Sequence, residues 1–371
     1  MTGKRVAVVG IHGHGASHVR NVLRLPDAEL VAVADPQGGG DLAVQVFPSL
    51  DELLAAVEVD VVVICTPIQT HVPLAELAMR TGADVLLEKP PTASLAEFDQ
   101  LSSVVAETGR ALQVGFQAQA SEATLGLASM VAGGELGEIR GISATGKWLR
   151  TARYFQRARW SGRRHLDGVD VVDGAVTNPL AHSAAAALLL DGSTGVDDVR
   201  QVETELYRAN PIESDDTSTV RITTSRGTPI LIAVTLCAGE QLEPSVTVHG
   251  SEGRAVLRYT SDTLELHQGD ARTVRTYERA DLLENLLAHR ADPSVPLYCP
   301  LAATGGFTRV VEAVRTAADP AEIPADLIDW QGEGLDRHPI LRDVEPWIDR
   351  AADELALFSE IGAPWSNARR R

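Results

Sequence analysis

The stretch Lys4-Arg5-Val6-Ala7-Val8-Val9-Gly10-Ile11-His12-Gly13-His14-Gly15-Ala16-Ser17-His18 decides how the rest of this chain is read. A β-branched run ends in glycine, a glycine-rich turn follows, and a helical pattern begins. With an acid closing the next apolar run, this is the setting of a dinucleotide-binding turn. The fingerprint wants glycine at its first, third and sixth places. Gly10 and Gly15 fill the first and sixth, His12 stands at the third, and Gly13 and His14 lie between. Backbone N–H groups at the start of the helix can hold a pyrophosphate. Asp35 ends the run Leu30–Ala34. A carboxylate there accepts from ribose hydroxyls and repels a 2′-phosphate, so NAD is expected rather than NADP.

Further apolar runs at Val59–Cys65, Ala83–Leu87 and Ala111–Val114 alternate with helical patterns at Ala16–Leu25, Leu50–Val57, Val72–Arg80 and Leu95–Glu107. Continuous apolar strands between helices predict a parallel sheet covered on both faces. The expectation is an α/β chain: an N-terminal Rossmann, doubly wound domain over residues 1–120. Beyond residue 120 the period changes. A helix at Glu122–Val131 precedes runs at Ile139–Lys147, Val199–Arg208, Thr217–Thr224, Pro229–Leu236, Ser245–His249, Arg254–Tyr259, Thr263–His267 and Thr273–Glu278. Their alternation predicts an α+β domain over 121–371 with a large, mostly antiparallel open sheet, helices on one face. Helices are expected at Asp281–Arg290, Ala303–Ala317 and Val344–Ile361, and Arg369–Arg371 reads as a frayed tail.

Composition narrows the function classes. The 371 residues carry 33 basic and 51 acidic side chains, a formal net charge of -18. That field repels polyanions, so nucleic acid and anionic membrane surfaces are not expected partners. No apolar run approaches the ~20 residues of a membrane helix. Cys65, Cys237 and Cys299 are an odd number without a CxxC pair, which suggests a reducing cytoplasm and no metal centre.

The stretch Cys65-Thr66-Pro67-Ile68-Gln69-Thr70-His71, followed by Ala75 to Glu88-Lys89-Pro90, resembles the "TP…H…A…G…V…EKP" segment of the Gfo/Idh/MocA (glucose–fructose oxidoreductase / inositol dehydrogenase) family. Val114-Gly115-Phe116, Gly134–Ile139 and His249–Gly253 are similar to later segments of that family. The resemblance implies a dinucleotide site drawing on Thr66, Pro67, His71, Glu88 and Lys89. It also implies a cis Lys89–Pro90 peptide, and a second sheet whose free face is buried between subunits. A lysine at the carboxyl edge of a parallel sheet can donate to a substrate oxygen and stabilise developing alkoxide.

His182 aligns with the family's catalytic histidine, and a histidine's ordinary pKa of about 6.5 suits proton transfer near neutrality. The carboxylates that commonly flank it are replaced by Asn178 and Ala185, leaving Asp173 as a possible substitute. Gln117 and Gln119 stand where the family often has Asn or His and then Arg. From Arg140 to Arg164 eight basic residues occur without an acid, interleaved with Trp148, Tyr154, Phe155 and Trp160. Two readings stay open: Trp160, Arg163 and Arg164 line a pocket for an anionic polyol, or the stretch is a basic arm against a partner subunit. The function expected is NAD-dependent hydride transfer to or from a secondary hydroxyl or keto group of a sugar, cyclitol or sugar-derived acid, in a homodimer or homotetramer. The alternatives are an NAD-recycling glycosidase and a non-catalytic NAD-binding regulator.

Overall fold

The computed structural model describes residues 3–39 and 42–366; Arg369–Arg371 lie outside the described residues. Packing divides the chain into two units. One comprises Met1–Ala120 with Ala280–Thr304, the other Ser121–Arg279 with Gly305–Arg371.

The first unit is built on six parallel strands, β1 (Lys4–Val9), β2 (Ala28–Ala34), β3 (Gln45–Phe47), β4 (Val61–Ile64), β5 (Asp84–Leu87) and β6 (Leu112–Val114), in the order β3-β2-β1-β4-β5-β6. The order reverses at β1, so the carboxyl ends of β1 and β4 flank a crevice, where open α/β sheets bind ligands. Helices α1 (Gly15–Arg24), α2 (Leu50–Ala56), α3 (His71–Arg80) and α4 (Leu95–Thr108) make the crossovers. Ser49 and Ser94 cap α2 and α4 by accepting from the N–H groups of Glu52 and Glu97. All of β4 and β5 is buried, which explains their unbroken apolar spelling. β3 went unread in the sequence because three residues give no period.

Residues 280–304 return to this unit. Leu283 and Leu286 of α8 (Leu282–Ala291) join the core of Val6, Val8 and Val63. The Gln113 side chain bridges Leu282 O (2.6 Å), Asn285 Oδ1 (3.0 Å) and the Cys299 N–H (3.1 Å). The reading of 121–371 as one continuous domain had no local signal for such a return.

The second unit holds α5 (Glu122–Ala132), β7 (Ile139–Lys147), α6 (Ala152–Phe155), a ribbon of β8 (His165–Leu166) and β9 (Val169–Asp170), and α7 (Ala181–Asp191). Strands β10 (Val199–Arg208), β11 (Thr217–Thr224), β12 (Pro229–Thr235), β13 (Ser245–Gly250), β14 (Arg254–Arg258), β15 (Thr263–Gln268), β16 (Ala271–Thr276) and β17 (Ala321–Glu322) join β7 in a nine-stranded sheet, ordered β16-β15-β14-β13-β7-β12-β11-β10-β17. It is antiparallel except where β7 meets β12 and β10 meets β17. After α9 (Gly305–Thr316) come the ribbon β18 (Ile328–Gln331) and β19 (His338–Leu341), then α10 (Val344–Glu354) and α11 (Phe358–Ile361).

Two expectations change here. The helix read over 344–361 is broken at Leu355, whose φ of 51° is left-handed. Its side chain instead lies over Gly141, where an added Cβ would sit 2.2 Å from Leu355 Cδ1. The second sheet face is also not bare. Tyr207, Leu231 and Ala233 form one core with Val344, Ile348, Ala351, Phe358 and Trp365. While α7 packs on one face of the sheet, the chain's own C-terminal helices cover the other face over β7, β10 and β12.

Candidate active site

The glycine turn is shaped by two contacts that only glycine permits. Gly10 has φ +78° and lies so close to β4 that a Cβ would meet the Cys65 carbonyl oxygen at 2.4 Å. A Cβ on Gly15 would be 1.8 Å from the Gly10 carbonyl oxygen. Chain and helix start are thereby drawn together at the end of β1. Helix α1 has no side-chain cap and no acid in its first turn, so its N-terminus is left for an anion. Asp35 is buried; its Oδ2 accepts from Ile11 N–H (3.0 Å) and its Oδ1 from Gln37 N–H (2.9 Å). His12 Nε2 stands 3.8 Å from Asp35 Oδ1. Cradle, helix start and acid fit an NAD dinucleotide, which Gly10, Gly13, Gly15 and Asp35 would hold.

Gly15→Ala is expected to weaken NADH binding by about a hundredfold or more, since backbone must move to admit the methyl. Gly13, at φ +58° with no atom near its would-be Cβ, should tolerate Ala at only ~1–2 kcal/mol of backbone strain. Fluorescence titration with NADH compares the two; equal losses would show that the close approach at Gly15 is not what matters.

Behind the turn sits a hub that the sequence reading only half named. Glu88, at the end of β5, is buried. Its Oε1 lies 2.8 Å from His18 Nε2, 3.2 Å from His14 Nε2 and 3.4 Å from Gln117 Nε2, while Oε2 accepts from the Lys89 N–H (3.1 Å). A Cβ on Gly115 would touch this carboxylate at about 3.0 Å, so glycine there makes its room. His18 was not foreseen as a site residue, although it falls one helical turn after His14. Glu88, His14 and His18 also bring their metal-ligand atoms within 4.8 Å of one another.

Burial opposes the Glu88 charge, but hydrogen bonds from His14 and His18 outweigh it and hold the carboxyl well below the usual range. The same contact raises His14 above its ordinary value. A folded-state pKa above the unfolded one adds stability that is full below about pH 6.5 and is lost as pH rises through the raised value. His14→Gln should therefore lower Tm most below about pH 6.5, with the gap closing in alkali. A gap independent of pH would remove the charged pair from the account.

The Thr66–His71 turn is tied to the lysine loop. His71 is buried, with Nε2 2.9 Å from the Thr66 carbonyl and Nδ1 2.9 Å from the Pro90 carbonyl. Burial pushes its pKa down, against two carbonyl acceptors that favour the charged form. The Lys89–Pro90 peptide is cis, and Lys89 is half-buried at the carboxyl end of β5. Cys65 closes β4; burial pushes its thiol and that of Cys299 up to about 12. All three cysteines are free.

In the second unit His182 is the second residue of α7, half-buried, its ring 6.0 Å from that of Tyr259. Tyr259 Oη lies 2.9 Å from Ser183 Oγ. Asp173 is buried: Oδ1 accepts from Asn178 Nδ2 (2.5 Å) and Oδ2 from Gly162 N–H (2.7 Å). The two candidates thus bind each other just ahead of α7. Asp215, unread in the sequence, is buried beneath them and accepts from Ala175 N–H (3.1 Å) and Ser218 Oγ (2.6 Å); burial raises its pKa.

The basic stretch finds its partners within its own unit. Arg150 stacks between Trp148 (4.4 Å) and Tyr154 (5.1 Å), and Arg157 between Tyr154 (3.6 Å) and Trp160 (4.7 Å), 3.9 Å from Asp173. Arg164 is buried and donates to the carbonyls of Val314, Arg315, Ala317 and Ala318, capping the C-terminus of α9. That capping accounts for its guanidinium without a substrate. Arg163 pairs with Glu213 at the surface (2.9 Å).

Fold and site together define a nicotinamide-dependent oxidoreductase. Two models of one family match: its N-terminal domain, described as "Oxidoreductase family, NAD-binding Rossmann fold", over residues 4–116, and its C-terminal domain over residues 125–256. The chain belongs to the Gfo/Idh/MocA family, and its cofactor is NAD. It is 26% identical to inositol 2-dehydrogenase of Rhizobium meliloti over 281 residues, 72% of this chain and 80% of that protein. It is 28% identical to UDP-N-acetylglucosamine 3-dehydrogenase of Acidithiobacillus ferrooxidans over 283 residues, 73% and 79% of the two chains. The solved structure of the latter superposes with a TM-score of 0.70 at 23% identity, covering 86% of this chain and 98% of that one. A 3-ketoreductase from Actinomadura kijaniata, KijD10, gives 0.72 at 20% identity, covering 87% and 100%.

Proposed function

We propose that the chain moves a hydride between NAD and a secondary hydroxyl or keto group of a sugar, cyclitol or sugar-derived acid. The observation that carries this is the Glu88 hub: one buried carboxylate receives His14 of the dinucleotide turn, His18 of α1 and the backbone N–H of Lys89. A turn that binds nucleotide and a lysine able to polarise an oxygen are thereby held as one piece. When bound, NAD supplies the hydride acceptor. In the oxidising direction His182 takes the hydroxyl proton, and Lys89 donates a hydrogen bond to the same oxygen, stabilising it as charge develops. Asn178, fixed by Asp173, orients a neighbouring hydroxyl or His182 itself; Gln117 and Trp160 remain candidates for substrate contact. Relatives that act on inositol and on a sugar nucleotide support the substrate class.

Three free thiols support a cytoplasmic setting, and no helix among the described residues is long and apolar enough to cross a membrane. A homodimer or homotetramer would pair outside the part of the sheet face that α10 and α11 cover; on β16 that face leaves Val274 48% exposed. The test is an NADH titration followed by a panel of sugars, cyclitols and sugar acids, reading NADH formation and loss. NAD retained without net NADH formation would favour the recycling glycosidase. Cofactor binding with no transfer across the panel would favour a regulator.

A further inference from the structure

The outer half of the basic stretch lines a cavity of about 1090 Å³ that lies wholly within the second unit. Its wall is assembled from three pieces distant in sequence: the loop 152–163, the β10–β11 turn 208–213, and 322–337 from the C-terminal segment. None of His182, Asn178 and Asp173 lines it, so it is a different place from the candidate redox site.

Four arginines, Arg159, Arg163, Arg208 and Arg337, face two carboxylates, Glu213 and Glu322, across this wall. The lining thus carries a net positive charge in a chain whose total is -18. A positive concavity in an acidic protein concentrates anions where the rest of the surface repels them. Two of the arginines pair with exposed carboxylates, and Arg208 also donates to the carbonyls of Ile212 (3.1 Å) and Glu213 (3.5 Å). Arg163–Glu213 spans 2.9 Å with both side chains about half exposed, and Arg208–Glu322 spans 3.3 Å with Glu322 81% exposed. Such pairs are worth about 0–1 kcal/mol, so exchanging them for a ligand's anion costs little. Arg337 has no carboxylate within ion-pair distance among the described residues; its guanidinium lies 4.6 Å from the Trp330 ring. Among the charges, Phe155, Ile212, Ile323 and Trp330 give the cavity an apolar lining. An apolar wall with a few convergent charges is the usual make-up of a small-molecule site, and the volume is ample.

We propose that this cavity binds an organic anion, a carboxylate or phosphate ester whose ring or chain rests on the Phe155–Trp330 side while its oxyanion is gripped by Arg208 and Arg337. Guanidinium forks suit planar or tetrahedral oxyanions equally. The cavity wall also continues toward His182. Gly162 lines it and donates to Asp173, which in turn fixes Asn178 ahead of α7. Occupancy therefore bears on the segment that leads into His182. The inference does not rest on the redox reading, because the lining residues share nothing with the dinucleotide turn.

Phenyl phosphate is the probe, titrated by calorimetry into protein saturated with NADH so that the dinucleotide site is filled. One molecule per chain is expected, bound more tightly than phenol or inorganic phosphate and weakened by salt. Arg337→Gln should weaken it by about tenfold or more. Glu322→Gln, which removes a competing carboxylate from an exposed rim, should tighten it by about twofold or more. NADH affinity should not change in either variant. No binding to the wild-type holoprotein, or equal binding by wild type and both variants, overturns the proposal, whereas a failed sugar panel would overturn only the redox reading. With a turnover substrate present, competition assigns the anion to the substrate's distal group, and independence assigns it to a separate ligand; both support the site.

Discussion

His182→Ala is expected to lower kcat by about two to four orders of magnitude, and Lys89→Ala by about two to three, with NADH affinity near wild type in the first. On the proposed roles the two losses would have different causes. Without His182 the hydroxyl proton has no base, so hydride leaves from a neutral alcohol. Without Lys89 the proton can still leave, but the oxygen's growing charge meets no donor. The losses should therefore combine less than additively, as for groups acting on one atom. His182→Gln keeps a polar group without a base and should stay as poor as the alanine variant. Lys89→Arg keeps the charge but not its shape and should recover little. Stopped-flow measurement of NADH formation, with Tm as a folding control, reads all of these. A double variant that turns substrate over as fast as wild type would sink the assignment.

Much of this site could be read from the chain because the decisive residues sit beside features of short range. Gly10, Gly15 and Asp35 follow strands whose apolar spelling reports their burial, and Lys89 follows β5 directly. What stayed hidden depends on contacts between distant parts of the chain. The pairing of Asp173 with Asn178 looks local, yet Asp173 also accepts from Gly162 N–H, and Ala175 between them donates to Asp215, from separate parts of the chain. Arg164 could not be told from Arg163 by sequence, because neighbours in a loop point different ways. One was buried against the carbonyl end of α9, a helix 150 residues later in the chain, while the other stayed in solvent. Residues 280–304 likewise gave a good helix and no hint of which core it would enter. The covering of one sheet face by α10 and α11 was legible only in β12, where Ile230-Leu231-Ile232-Ala233-Val234 is apolar on both sides, while β11 alternates Val220 and Ile222 with Thr219 and Arg221.

Phe358→Ala is expected to destabilise the second unit by about 3–5 kcal/mol, a loss at the upper end for core truncations. Phe358 is fully buried, its ring 6.2 Å from that of Tyr207 on the sheet and 5.1 Å from that of Trp365. The segment around it is also tied down by polar contacts: Ser359 N–H donates to Glu205 Oε2 (3.0 Å), and Arg221 pairs with Glu360 (2.8 Å). These hold α11 in register over the sheet, so the space left by the missing ring cannot close by sliding the helix. Leu231, Ala233 and Tyr207 would then face a void or water, and apolar area returned to water costs ~25 cal/mol per Å². For a unit of this size the loss corresponds to a fall in Tm of roughly 10 °C. Leu335→Ala, at a leucine 42% exposed in the same C-terminal segment, should stay within about 0.5 kcal/mol of wild type. If differential scanning fluorimetry moves both variants equally, or neither, α10 and α11 are not integral to this fold. The sheet face would then be free to pair with a second copy of the chain.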